Sequence, residues 1–268
     1  MVHGTVSPFW RSSNDQAFSE AVIRKTMRFV PIKTAEQQAD AMVLKTRALL
    51  VQQRTQSVNA LRAHLAELGI IAAGGVPNVA ALIDIVRDVE DTRLPTSARF
   101  ALTAIVDQID ALAVQIEMIE RTIVIEAKRD ETARRLTTIP GVGAITATTI
   151  KALVPDPGGF KSGRHFAAWV GLTPRPHSSG GKERLGRISK MGNPELRVLL
   201  VLGATSALRI ARRSEKARPW LKALLARRPF KVAAVALANK MARIIWALLT
   251  KGGIYDSSDL TSDALQAG

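Results

Sequence analysis

The chain has 268 residues, enough for one large or two modest domains. It has no cysteine, which excludes disulfides, thiolate metal sites and cysteine nucleophiles and suits a reducing cytoplasm. Its 38 Lys and Arg against 23 Asp and Glu leave a formal net charge of +15, which points to polyanionic partners.

The start, MVHGTVSPFWRSS, lacks the charged and then apolar pattern of a signal peptide. His3, His64, His165 and His177 are scattered, without the spacing of a zinc site. Residues 35–68 contain neither Pro nor Gly, and Val51, Val58, Leu61, Leu65 and Leu68 recur at helical steps. The pattern predicts one long helix stopped at Gly69. After a linker over 69–95, Leu102, Ile105, Ile109, Leu112, Ile116, Ile119 and Ile123 alternate steps of three and four, a heptad seam that needs a partner helix. The partner is either 35–68 folded back antiparallel or the same helix of a second subunit. The expectation is a coiled-coil-like arm over 35–135.

From Leu136 the texture changes. LTTIPGVGAITATTIKAL sets Pro140, Gly141 and Gly143 between two apolar segments, as a tight turn opening a helix at Ala144. Backbone N–H groups at such a helix start favour an anion, so the turn reads as a helix-hairpin-helix-like element able to hold a DNA phosphate. A short helix within 160–170 and helices at about 194–213, 218–228 and 230–250 follow, the last two set off by Arg-Pro pairs. The apolar run 232–249 carries Asn239, Lys240 and Arg243 mid-way, so it reads as a core helix, not a membrane span. No strand is expected after residue 30: the fold class is mainly α, with an all-helical C-terminal domain.

Two features carry chemistry. Between Ala204 and Lys251, twelve basic residues stand against one acid, Glu215, far from the balance of a solvated helix face and suited to phosphate neutralisation. The second is Arg175 to Asn193, RPHSSGGKERLGRISKMGN. Arg175, Lys182, Arg184, Arg187 and Lys190 surround Ser178 and Ser179, and Gly180 and Gly181 let the backbone pass close to a phosphate. Cations lower the cost of a serine oxyanion and bind a phosphodiester. With no Gly-x-Ser-x-Gly elbow, the pattern fits serine attack on DNA better than acyl transfer.

IPGVGAITA, then FKSGRHFAAWVGLTPRPHSSGGKERLGRISKMGNPELRVLLVLGA and ARRPFKVAAVALANKMARIIWALL, resemble the C-terminal domain of the DEDD-type, bridge-RNA-guided insertion-sequence transposases, to which the Piv DNA invertases are related. TMRFVPIKTAEQQ and LVQQRTQSVNALRAHLAELGI resemble the segment leading into that group's coiled coil, and the likeness runs from about Ala17 to Tyr255.

The resemblance implies a recombinase in which a RuvC-like domain holds divalent metal, Mg2+, on four acidic residues and the C-terminal domain supplies a serine that links covalently to DNA. The serine before glycine maps onto Ser179, with Ser178 as the alternative. Arg175, Lys182, Arg184, Arg187, Lys190 and Arg197 would contact nucleic acid, together with Gly141 and Gly143. DNA, a guide RNA and a second copy of the chain are the implied partners, in the cytoplasm at the nucleoid and away from membranes.

The expected organisation is a RuvC-like remnant and connector over 1–34, the helical arm over 35–135, the transposase domain over 136–255 and a disordered tail over 256–268. The departure from the family pattern lies at the start, where SSNDQAFSEAV offers only Asp15 as a metal ligand ahead of Glu20. One carboxylate does not make a metal clamp, so the chain is expected to be a truncated transposase, inactive alone.

Overall fold

In a computed structural model the described residues are 33–154, 156–177, 185–214 and 219–255. The chain divides into two compact units, Met1–Thr34 and Ala35–Gly268, and the architecture below is that of the second. It is mainly helical.

The first helix, α1, covers Ala35–Glu67. A short helix α2, Val76–Arg87, lies inside the segment read from sequence as a linker, and α3 covers Thr96–Arg129. Gly74, Gly75 and Pro77 made that segment look like turns. Its apolar positions Leu82 and Val86 nevertheless repeat at a helical step and are buried.

Helices α1 and α3 run antiparallel within one chain. Ala41 and Leu44 of α1 meet Ile123 of α3 near one end, while Leu61 and Leu65 meet Leu102, Val106 and Ile109 near the other. The partner of the α3 stripe is thus its own chain's first helix. Along α3 the buried residues are Leu102, Val106, Ile109, Leu112, Ile116, Ile123 and Ala127, whereas Ile105 and Ile119 are half-buried. An α-helix turns every 3.6 residues, so a strict heptad stripe drifts around its surface, and Val106 takes the inward place expected of Ile105.

Arg47 crosses the pair, its Nε donating to Glu120 Oε1 at 2.8 Å. At the far end α2 closes the core with Ile70 and Leu94. Arg99 Nη1 there donates to the α2 carbonyls of Ile85 and Val86 at 3.1 and 2.8 Å, satisfying groups that a helix end leaves unpaired.

At Asp130 the chain breaks. Its side chain caps α4, Glu131–Thr137, by accepting from Ala133 N at 2.7 Å, and its other oxygen accepts from Lys151 Nζ at 2.7 Å. Lys151 belongs to α5, Ala144–Leu153, which packs against α1, α3 and α4. Ala152 of α5 joins the small cluster of Ala41, Leu44 and Ile123, so the helical arm and the rest share packing.

A 3-10 turn, Pro157–Gly159, leads to α6, Gly163–Trp169, and then come α7, Pro194–Arg213, α8, Pro219–Arg227, and α9, Phe230–Lys251. Leu196, Leu200, Ala204 and Leu208 of α7 and Ala233, Ala234, Ala238, Met241, Ala242 and Ile245 of α9 are almost wholly buried in one core. Helix α9 is long and apolar enough to cross a membrane by composition, but this face is covered by protein. Trp246 Nε1 of α9 donates to Pro157 O at 3.1 Å, and Lys240 Nζ lies 4.5 Å from the Trp220 ring centroid of α8.

One expectation is corrected. Among the described residues after residue 30 there are two short strands, β1 at Pro174–Pro176 and β2 at Leu185–Ile188, paired antiparallel with Pro174 opposite Ile188 and Pro176 opposite Leu185. Two prolines in β1 remove ladder donors, and the register is irregular between them. Such a ribbon leaves no alternating apolar signature in the sequence.

Candidate nucleic-acid interface

The hairpin is held at its base by three helices. Gly171 follows α6 at φ +80° and Gly192 precedes α7 at φ +96°; a Cβ on the first would strike the Met191 carbonyl and on the second the Trp169 carbonyl. Only glycine permits this close crossing of the incoming and outgoing chain. Ser189 N donates to Thr173 O at 2.8 Å and Lys190 N to Gly171 O at 3.2 Å, extending the ladder toward that crossing. Asn239 Nδ2 of α9 donates to Leu172 O at 3.2 Å, Arg197 Nη1 of α7 to Val170 O at 2.9 Å, and Asn193 Oδ1 caps α7 by accepting from Leu196 N at 2.9 Å.

On this base Arg175, His177, Gly186, Arg187, Ile188, Ser189 and Lys190 line one open cavity of about 500 Å³. Arg175 Nη2 donates to Ser189 O at 2.8 Å across the two strands, which fixes its guanidinium at the rim. The His177 ring lies over Gly186, in the space a side chain there would fill. No carboxylate is among the described lining residues. Lys190 holds a left-handed backbone, φ 55°, directly after the Ser189 it follows into the turn. Strain of this kind persists only where neighbours fix it, and here the Lys190 N–H is tied to Gly171.

The structure therefore brings Arg175, Arg187 and Lys190 of the sequence-derived set together. It places the others differently. Gly141 packs against Gly203 of α7, and Gly143 is the N-cap of α5 with open space where a side chain would stand. Arg197 is half-buried at the hairpin base. Ser178, Ser179, Lys182, Arg184 and Asp15 lie outside the described residues.

Sequence reasoning missed His177 and Ser189 as lining residues. The signal available was the pair of short segments flanking a polar, glycine-containing stretch, a hairpin pattern that the prolines obscured. Among the described residues no three His, Asp or Glu side chains converge to hold a metal ion.

Known proteins supply the remaining observation. The sequence model described as Transposase IS116/IS110/IS902 family matches residues 133–222, which contain this whole hairpin. The chain is 45% identical over 255 residues to a putative transposase, y4pF/y4sB, of Sinorhizobium fredii, covering 93% of the chain and 65% of that protein. It is 43% identical over 242 residues to a probable family 20 transposase of Pseudomonas aeruginosa, covering 90% of the chain and 72% of the relative.

The chain belongs to the IS116/IS110/IS902 family of transposases. A third family relative, the transposase for insertion sequence element IS1111A of Coxiella burnetii, is 40% identical over 256 residues, covering 93% of this chain and 70% of its own length. The chain thus spans 65–72% of the length of these relatives, and the hairpin lies inside the span they share.

Proposed function

We propose that this transposase cuts and rejoins DNA through a serine nucleophile, Ser179, with Ser178 as the alternative, and that the cavity of the hairpin receives the scissile phosphodiester. The observation that carries the reading is the cavity itself: Arg175, Arg187 and Lys190 converge on it with no carboxylate among the described lining residues, and the chain connecting its two strands contains both serines.

Attack of the serine Oγ on phosphorus forms a serine–phosphate ester and breaks the bond to the adjoining deoxyribose oxygen. That oxygen leaves as a hydroxyl, taking up the equivalent of the proton the serine gives up. One phosphate ester replaces another, so the reverse attack rejoins the strand. Negative charge builds on the phosphoryl oxygens during the exchange, and fixed cations beside them stabilise the transition state more than the ground state. Lys182 and Arg184, between the serines and β2 in sequence, add positive charge to the same stretch of chain.

The family resemblance extends this reading to a guide RNA as partner, to a synaptic assembly of more than one copy, and to magnesium held by acidic residues of a RuvC-like fold. The carboxylates described do not converge, so no step is assigned to a metal ion. Gly143, with open space before α5, is the residue of the Pro140–Gly143 turn suited to a second phosphate contact in the manner of a helix-hairpin-helix. The site of action is the nucleoid of the cytoplasm.

The test is covalent trapping. The full chain is incubated with a DNA carrying an insertion-sequence end, with its guide RNA and magnesium, and denatured. A protein–DNA adduct that vanishes in Ser179→Ala and persists in Ser178→Ala supports Ser179 as the nucleophile and overturns the expectation that the chain is inactive alone. Salt-sensitive DNA binding without any adduct would support instead a non-catalytic nucleic-acid-binding protein, and an adduct that survives Ser179→Ala but not Ser178→Ala would move the nucleophile by one residue.

A further inference from the structure

A second cationic cavity lies at the other end of α7. Arg209, Arg212 and Arg213 line it together with Phe230, the first residue of α9, and it holds about 460 Å³. The rise of α7, about 30 Å over 20 residues, separates it from the hairpin that precedes Asn193. It is a different site and does not rest on the serine chemistry above.

The three arginines stand at i, i+3 and i+4, so one face of the last turns of α7 presents all of them. All three are exposed, and the ion pairs found among the described residues join other side chains. A helix C-terminus favours a nearby cation, which accounts for basic residues there in general. It does not account for an aromatic ring at the same cavity. Phe230 is half-buried, packed on the main core by one side and lining the cavity by another. Arg227 and Arg228, both exposed, precede it by three and two residues.

We propose that this cavity binds one unpaired nucleotide of a nucleic-acid strand, its phosphate held by Arg209, Arg212 and Arg213 and its base stacked on Phe230. The volume falls in the range of small-ligand sites and suits a single nucleotide. The ring decides between strand states. In a duplex each base face is covered by its neighbours, so an aromatic side chain can stack only on a base that is unpaired and splayed out. Guanidinium groups alone would bind duplex and single strand alike.

The test is fluorescence anisotropy on the full chain with three probes: a twelve-nucleotide single-stranded DNA without self-complementarity, the single-stranded RNA of the same sequence, and the matching DNA duplex. The variants are Phe230→Leu, Phe230→Tyr and Arg212→Gln/Arg213→Gln, with circular dichroism to confirm folding. Phe230→Leu is expected to weaken single-strand binding about tenfold and duplex binding by less than about twofold, while Phe230→Tyr stays near wild type. The Arg212→Gln/Arg213→Gln variant, altered only at exposed positions, is expected to reduce the salt slope for single strands by about 1.4. A larger Phe230 effect on the RNA or on the DNA identifies which strand the site holds, and either supports the proposal. Equal losses on single strand and duplex, or no loss in the arginine variant, would overturn it. The anisotropy reads reversible binding without magnesium or any covalent adduct, which keeps this result separate from the trapping experiment.

Discussion

Gly141, in the turn before α5, and Gly203, in the middle of α7, meet backbone to backbone: a Cβ on either would run into the carbonyl of the other. Gly141 also has φ +90°, a region other residues rarely occupy. The turn that the sequence suggested as a phosphate contact is thereby the seat on which α7 crosses, and α7 carries the hairpin cavity at its start and the arginine cavity at its end.

Gly203→Ala is therefore expected to invert the usual helix rule. Alanine in a helix interior ordinarily stabilises relative to glycine by roughly 0.5–1 kcal/mol. Here the added methyl meets backbone that cannot step aside, and overpacking costs about 1–3 kcal/mol, lowering the melting temperature by about 3–10 °C in thermal unfolding followed by circular dichroism. Gly143→Ala, at ordinary φ with open space around it, is expected to change the melting temperature little.

Removing a cation from the hairpin cavity should read out as salt dependence. Arg187→Gln and Lys190→Gln are each expected to lower the slope of log affinity against log salt by about one for DNA of any sequence, as loss of a phosphate contact does. A slope unchanged in both variants would place the DNA backbone elsewhere.

The Asp130–Lys151 pair gives the fold a pH dependence at both extremes. Burial raises the Asp130 pKa, but the Lys151 ammonium and the Ala133 and Thr132 N–H groups outweigh it and hold the carboxyl below its ordinary value of 3.8. A depressed carboxyl contributes stability that is complete above its unfolded value and is lost as pH falls from about 4 through the folded one. Lys151 is raised above 10.5 by its hydrogen bond to Asp130, so its contribution is complete below that value and disappears as pH climbs through the folded pKa. Asp130→Ala, which also removes the cap of α4, is expected to cost about 1 kcal/mol; Asp130→Asn keeps a capping oxygen and should cost only a few tenths, the pair being partly exposed. Urea unfolding at pH 3, 7 and 11 measures both.

Leu65→Ala tests the far end of the helical arm. Leu61 and Leu65 are fully buried there among Ile70, Leu82, Leu102, Val106 and Ile109. A cavity at such a site costs about 2–5 kcal/mol. Because this cluster is separate from the core under α9, hydrogen exchange is expected to rise in α2 and the adjoining ends of α1 and α3 while α7 and α9 keep their protection.

Much of this was legible in the order of residues. The bounds of α7 follow from Asn193-Pro194 at its start, a cap and a proline in the first turn, and α5 opens at Ala144 as the Pro140–Gly143 turn required. The hairpin was not legible, because Pro174 and Pro176 argue against a strand and two-residue periodicity cannot show in three or four residues. Helix α2 was hidden by Gly74 and Gly75 before it and by Pro77 in its first turn.

The sequence by itself determined that this protein is helical, basic and a transposase of its family, since periodicity, charge and long shared motifs are local properties of the chain. Only the tertiary structure decided that α3 packs on its own chain's α1, that Gly141 belongs to a helix crossing, and that Arg175, Arg187 and Lys190 face one cavity while Arg209, Arg212 and Arg213 share another with Phe230. Those are encounters between residues distant in sequence, fixed by which buried surfaces exclude water together, and no local pattern encodes them.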